Sequence, residues 1–218
     1  MPAKSDREYR DLYSIRALDT TEETESKKVS GQFTTYDSPY LLYSVSDDLA
    51  DFEMWEVVDR HAFDECDVSD VIMQYDHEGR VFARTSNGTL ELDFSEALMN
   101  AELNGTEIGR QLYEEIRGGY TTKMSFGFKV EDAIQNRETI QREGMTPLIK
   151  VTRTITKISK LYDVSAVSLP ANNQTSISAR ALGEGVINEA REEFMAARAL
   201  EIQKAKAIAK AKLLSMEE

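Results

Sequence analysis

The chain has 218 residues, 41% of them hydrophobic and 30% charged, and its 39 carboxylates outnumber 26 Lys and Arg for a formal net charge of −13. Such an acidic balance opposes nucleic-acid backbones. The longest apolar runs fall far short of the roughly 18 residues of a membrane helix, and the polar start "MPAKSDREYR" has no secretory h-region. One cysteine, Cys66, and two histidines, His61 and His77, exclude an internal disulfide and a histidine-rich metal site, and fit a reducing cytoplasm.

Residues 1–28 read as a polar N-terminal arm with one short apolar run, "LYSIRAL", and "DTTEETESKK" reads as a flexible loop. From Val29 the chain turns β-branched and aromatic. "VSGQFTTYDSPYLLYSV" predicts strand, turn and strand, and "MWEVVDRHAFDE" an apolar segment followed by a turn. Val71–Phe94 reads as a β-meander with a turn at "HEGR" and a hairpin signal at Asn87-Gly88. In "GTEIGRQLYEEIRGG", Ile108, Leu112 and Ile116 recur every four residues before a glycine stop, which predicts an amphipathic helix. It leads into "GGYTTKMSFGFKV", a strand pattern that carries Ser125. A polar, mobile excursion follows, then two strands, "LIKVTRTITKI" and "LYDVSAVSLPA". From Gly183 an Ala/Glu/Lys-rich segment predicts one long helix, with glutamates early and lysines late as the helix dipole favours. Its apolar stripe is thin, as in a helix that seeks a partner or detaches. The expected fold is therefore α+β and mainly β: a barrel-like antiparallel sheet body with surrounding helices and a long C-terminal helix. The expected domains are 1–28, 29–178 and a linker and helical tail over 179–218.

Nucleophilic serine chemistry needs a base and a group that orients the base. Ser125 is the candidate nucleophile. His77, at a strand–turn boundary in "QYDHEGR", is the candidate base. Asp163 interrupts the apolar strand "LYDVSAVSLPA" and is the candidate orienting acid, since a carboxylate there calls for a partner. Spacing alone leaves ordinary alternatives open: a strand serine, a solvated turn histidine, a salt-bridged aspartate. Lys123 shares a strand face with Ser125, so a Ser–Lys dyad is a second chemistry.

Four stretches together resemble the tailed-bacteriophage prohead maturation proteases, serine peptidases related in fold to herpesvirus assemblins. They are "MWEVVDRHAFDE", "QYDHEGRVFARTSNGTLEL", "GGYTTKMSFGFKV" and "LYDVSAVSLPANNQT", in the family's order, within about residues 29–178. The resemblance implies Ser125 as nucleophile and His77 as base. Asp163 stands where the family usually has Glu, one methylene longer, so the strand must sit close to His77 or the third role is weak. His61 inherits no role. The resemblance also implies acyl transfer without a cofactor, in the bacterial host cytoplasm and the procapsid interior. The implied substrates are the scaffolding protein or scaffolding segment of the major capsid protein, and the protease itself. No nucleic acid or membrane partner is implied, and no residue demands the homodimer of the assemblins. The long helix then binds scaffold helices and is removed by autoproteolysis near "SARALGEG", or else packs on the body or dimerises. The alternative class is a catalytically inert scaffolding or capsid-assembly protein with a protease-like fold.

Overall fold

The computed structural model describes residues 7–18, 26–168 and 177–214. Ten strands and two helices make it mainly β: β1 (Glu8–Ala17), β2 (Lys28–Gln32), β3 (Tyr40–Ser46), β4 (Asp51–Val58), β5 (Ile72–Tyr75), β6 (Glu78–Arg84), β7 (Leu90–Asp93), β8 (Leu98–Glu102), α1 (Glu107–Arg117), β9 (Lys123–Ile140), β10 (Leu148–Val167) and α2 (Ile177–Leu214). The strand order is β3-β4-β10-β9-β1-β2-β8-β7, with β5 joined to β10 and β6 to β5. The sheet is open, since β3 and β7 end this path. It is also mixed rather than purely antiparallel: β10 runs antiparallel to β9 but parallel to β4 over its first half and to β5 near its end.

The mainly-β body and the long C-terminal helix match the sequence reading. The limits of several elements differ from it. Glu8–Ala17, within the stretch read as a polar arm, is an interior strand between β9 and β2. The stretch after Val130, read as a mobile excursion, continues β9 to Ile140, because it pairs antiparallel with Leu148–Lys157 of β10. The two strands read over 148–167 are one, bent by four register shifts between Ile155 and Asp163. At Asn87-Gly88 the chain turns, with Gly88 left-handed at φ 75°. No hairpin forms there: β7 pairs with β8 while β6 pairs with β5. The flexible loop read at "DTTEETESKK" lies mostly outside the described residues.

Two apolar cores hold the body. The larger gathers Phe33, Phe63, Phe126 and Phe128 with Leu112, Tyr113 and Ile116 of α1. Helix α1 begins where the Thr106 hydroxyl accepts a hydrogen bond from Gly109 N (3.0 Å), and Gly118 and Gly119 end it. The smaller core lies under the first turns of α2, where Val186, Ile187 and Ala190 pack on Phe52, Met54, Ile149 and Val151. Gly183 is required there, since a Cβ would stand 2.5 Å from Tyr43 Cβ. Arg191 adds an ion pair to Asp47 (3.0 Å). Beyond Phe194 the helix is exposed through Lys212. The two structural expectations for this helix thus divide along its length: it packs on the body first and presents a free stretch after. No helix among the described residues is long and apolar enough to cross a membrane.

Candidate active site

Strand β9 points Met124, Phe126 and Phe128 into the aromatic core, so Ser125 and Gly127 face the other way. On the neighbouring strand β10, Ser165 lies opposite Ser125, and Asp163 lies opposite Gly127. The register shift between Leu161 and Asp163 re-aims the strand at this point, as β-bulges do.

His77 reaches this patch from the β5–β6 hairpin. Tyr75 pairs with Glu78, leaving Asp76 and His77 as a two-residue turn with φ of 50° and 59°. Positive φ at both positions is the mark of a type I′ turn and costs each non-glycine residue about 1–2 kcal/mol. Bonds to β10 offset that cost. Asp76 N donates to Ala166 O (2.9 Å), and the Asp76 carboxylate accepts from Ser168 N and Ser168 Oγ, both at 2.9 Å. The parallel pairing of Tyr75 with Ala166 fixes the same end.

The three side chains meet as one hydrogen-bonded chain. His77 Nε2 is 2.5 Å from Ser125 Oγ, and His77 Nδ1 is 2.5 Å from Asp163 Oδ1. Ser165 Oγ donates to the same Asp163 oxygen at 2.6 Å. Ser125, Asp163 and Ser165 are buried, and His77 is the solvent-side member with 15% of its side chain exposed. The geometry suits proton transfer from Ser125 to His77, with Asp163 setting the tautomer. The neighbourhood is packed closely. Tyr9 of β1 lies against the His77 ring at 4.3 Å between centroids. A Cβ on Gly127 would stand 2.4 Å from Asp163 Oδ2 and 2.8 Å from Tyr9 Cε1.

Behind β1 lies a buried ionic network. Arg10 Nε donates to Glu56 Oε1 (2.5 Å) and Arg10 Nη2 to Glu8 Oε2 (2.6 Å). Arg153 bridges Glu8 (2.7 Å) and Glu56 (2.8 Å), and Tyr40 OH donates to Glu56 (2.6 Å). Burial alone would push the Glu8 carboxyl up. The hydrogen bond from Arg153 and the charges of Arg10 and Arg153 outweigh it and bring the carboxyl down to about 2.

The structure therefore brings together the three residues singled out in the sequence. It leaves His61 elsewhere, exposed and 3.0 Å from Asp64. Lys123 lies opposite Val167 at the start of β9, while Ser125 Oγ meets the His77 imidazole. Sequence reasoning missed Tyr9, Gly127 and Ser165. A glycine inside a strand signals close approach by something else, and Ser165 shares a face with Asp163 at two residues' spacing, so two of the three had a readable mark. A cleft of about 590 Å³ between the β5–β6 hairpin and α1 is lined by Asp76 and Glu78, the neighbours of His77 in its turn, and by Tyr75, Phe82, Leu112 and Glu115 among others.

The sequence model of one family, the caudovirus prohead serine proteases, matches residues 13–186. The chain belongs to this family. That makes it a serine protease of phage capsid maturation. The matched prohead-protease segment holds Ser125, His77 and Asp163 and ends in the first turns of α2. No curated protein and no solved structure matches the chain.

Proposed function

We propose that this prohead protease cleaves peptide bonds by a Ser125–His77–Asp163 relay. The observation that carries the reading is the unbroken chain of two 2.5 Å hydrogen bonds from Ser125 through His77 to Asp163. Ser125 Oγ adds to the substrate carbonyl carbon as His77 Nε2 takes its proton. Asp163 holds the ring and offsets the imidazolium charge. His77 returns the proton to the leaving amine, and water then repeats the sequence to free the acyl group from Ser125. The inert-scaffold alternative is disfavoured, because an inert relative has no need to keep this alignment at a strained histidine.

The substrates we propose are the scaffolding protein or scaffolding segment of the major capsid protein, and the chain itself, inside the procapsid. Self-cleavage near "SARALGEG" would remove the tail after docking. That segment is helical in α2, and Gly183 abuts Tyr43. Proteases take extended chain, so the first turns of α2 must unwind before the cut.

The test is the intact mass of the parent and of Ser125→Ala over time, alone and with capsid protein. Shortening of the parent at its C-terminal end with Ser125→Ala intact supports the reading. If both stay whole even with capsid protein, the inert-scaffold alternative takes over. Equal shortening of both assigns the cut to another protease.

A further inference from the structure

We infer that Tyr9, in the N-terminal strand, is a positioning residue of the active site, and that the buried ionic network exists to hold it there. The inference rests on His77 being the base. Tyr9 lies outside the residues 13–186 that the family accounts for, yet its ring packs on the His77 imidazole with centroids 4.3 Å apart and planes tilted by 55°. It sits opposite Gly127 in the β1–β9 register. The slot it fills exists because Gly127 has no side chain.

The rest of the imidazole is already engaged: Nε2 with Ser125 and Nδ1 with Asp163. Those bonds fix two points on the ring. Neither bond covers a ring face. A large flat side chain against one face keeps the ring from swinging out of line with its two partners, keeps water from that face, and offers π density to the imidazolium that forms during attack.

Tyr9 works only if β1 keeps its register, since a slip of one residue turns every side chain to the opposite face. The neighbours of Tyr9 prevent the slip. Glu8 and Arg10 project to the opposite face, where both are held by Arg153 of β10 or Glu56 of β4. Arg10 Nη1 also donates to Tyr9 O (2.9 Å). Buried charges that bond one another across strands are well suited to fixing register.

The experiment compares the full chain with Tyr9→Phe, Tyr9→Leu, Tyr9→Ala and Ser125→Ala. One readout is the rate at which a fluorophosphonate probe labels Ser125. The second is the downfield Nδ1–H resonance of His77, in a protein with only two histidines. Tyr9→Phe is expected to match the parent within about twofold in labelling. Tyr9→Ala and Tyr9→Leu are expected to label about 10-fold or more slowly and to broaden the His77 resonance, at a temperature where each is folded. Tyr9→Leu keeps bulk and carries the test if Tyr9→Ala does not fold. A Tyr9 that matters only for stability would lower the melting temperature and leave labelling and resonance at parent values, which would overturn the inference. If Ser125→Ala labels as fast as the parent, the reading of Ser125 falls instead, and the resonance alone decides for Tyr9.

Discussion

A single methyl group added at Gly127 tests the proposed site without replacing any of its three polar residues. In Gly127→Ala the new Cβ would stand 2.4 Å from Asp163 Oδ2, which is 1.0 Å short of an ordinary 3.4 Å contact, and 2.8 Å from Tyr9 Cε1. Both neighbours resist. Asp163 is buried and tied to His77 and Ser165, and Tyr9 is backed by the His77 ring. If the carboxylate yields by about 1 Å, its 2.5 Å bond to His77 Nδ1 is lost. A misplacement of about 1 Å in a catalytic constellation costs about 10²-fold in rate, which equals about 2.7 kcal/mol of activation free energy. Overpacking adds about 1–3 kcal/mol of lost stability. The assay is fluorophosphonate labelling of Ser125 at a temperature where the variant is folded, alongside its thermal unfolding. A variant that unfolds earlier but labels at the parent rate would refute the coupling of Gly127, Asp163 and His77.

Asp163→Asn keeps the shape but favours the wrong imidazole tautomer, so the rate of substrate cleavage should fall by about 10⁴-fold with the fold retained; circular dichroism and a peptidase assay check both halves. Glu8 ionises at about 2 in the fold against 4.5 ordinarily, so its contribution of about 3 kcal/mol is fully present above pH 4.5 and is lost as pH falls toward 2. In Glu8→Gln, denaturant midpoints should lose that part of their pH dependence. Removing the carboxylate of Glu56, which is buried and bonded to Arg10, Arg153 and Tyr40, leaves two guanidinium groups short of a partner. Glu56→Gln should therefore destabilise by about 3–5 kcal/mol in denaturant unfolding. Truncation after Phe194 should leave the body's unfolding midpoint unchanged, whereas truncation before Leu182 should lower it, because Val186, Ile187 and Ala190 cover part of the second core.

What the sequence disclosed follows from the range of the interactions that set each element. Helix α1 was legible because its four-residue period and its glycine stop are local signals. Asp163 was legible because it interrupts an apolar strand, whereas Ser125 and His77 stood out through the likeness of their stretches to the prohead proteases. The strand continuity of β9 past Val130 was not, since its outer half alternates among polar residues and owes its extension to backbone pairing with β10. Strand β1 was hidden for a related reason. Glu8 and Arg10 look like surface charge in the sequence and, besides pairing with each other, are held by Glu56 and Arg153, at least 46 residues away. No local pattern announces a charge whose partner lies that far along the chain. The ring contact between Tyr9 and His77 is equally non-local.

The shorter acid at position 163 finds its explanation in how much of the site depends on strand β10. Asp163 is part of that strand. The turn that carries His77 is bonded to it at Ala166 and Ser168, and β5 pairs with it in parallel. Ser125 lies directly opposite its Ser165. Nucleophile, base and acid are therefore all placed relative to one backbone, within a few residues of one another along it. An aspartate reaches His77 Nδ1 at 2.5 Å under these conditions. Of the two cases that Asp163 raised in the sequence, the geometry favours the one in which the strand sits close to the histidine. A longer acid has no room to extend straight, because the far side of the carboxylate already faces Gly127 and Tyr9. Asp163→Glu should therefore slow Ser125 labelling rather than restore a family optimum. An unchanged or faster rate would mean that β10 and the His77 turn move apart more readily than their shared bonds imply.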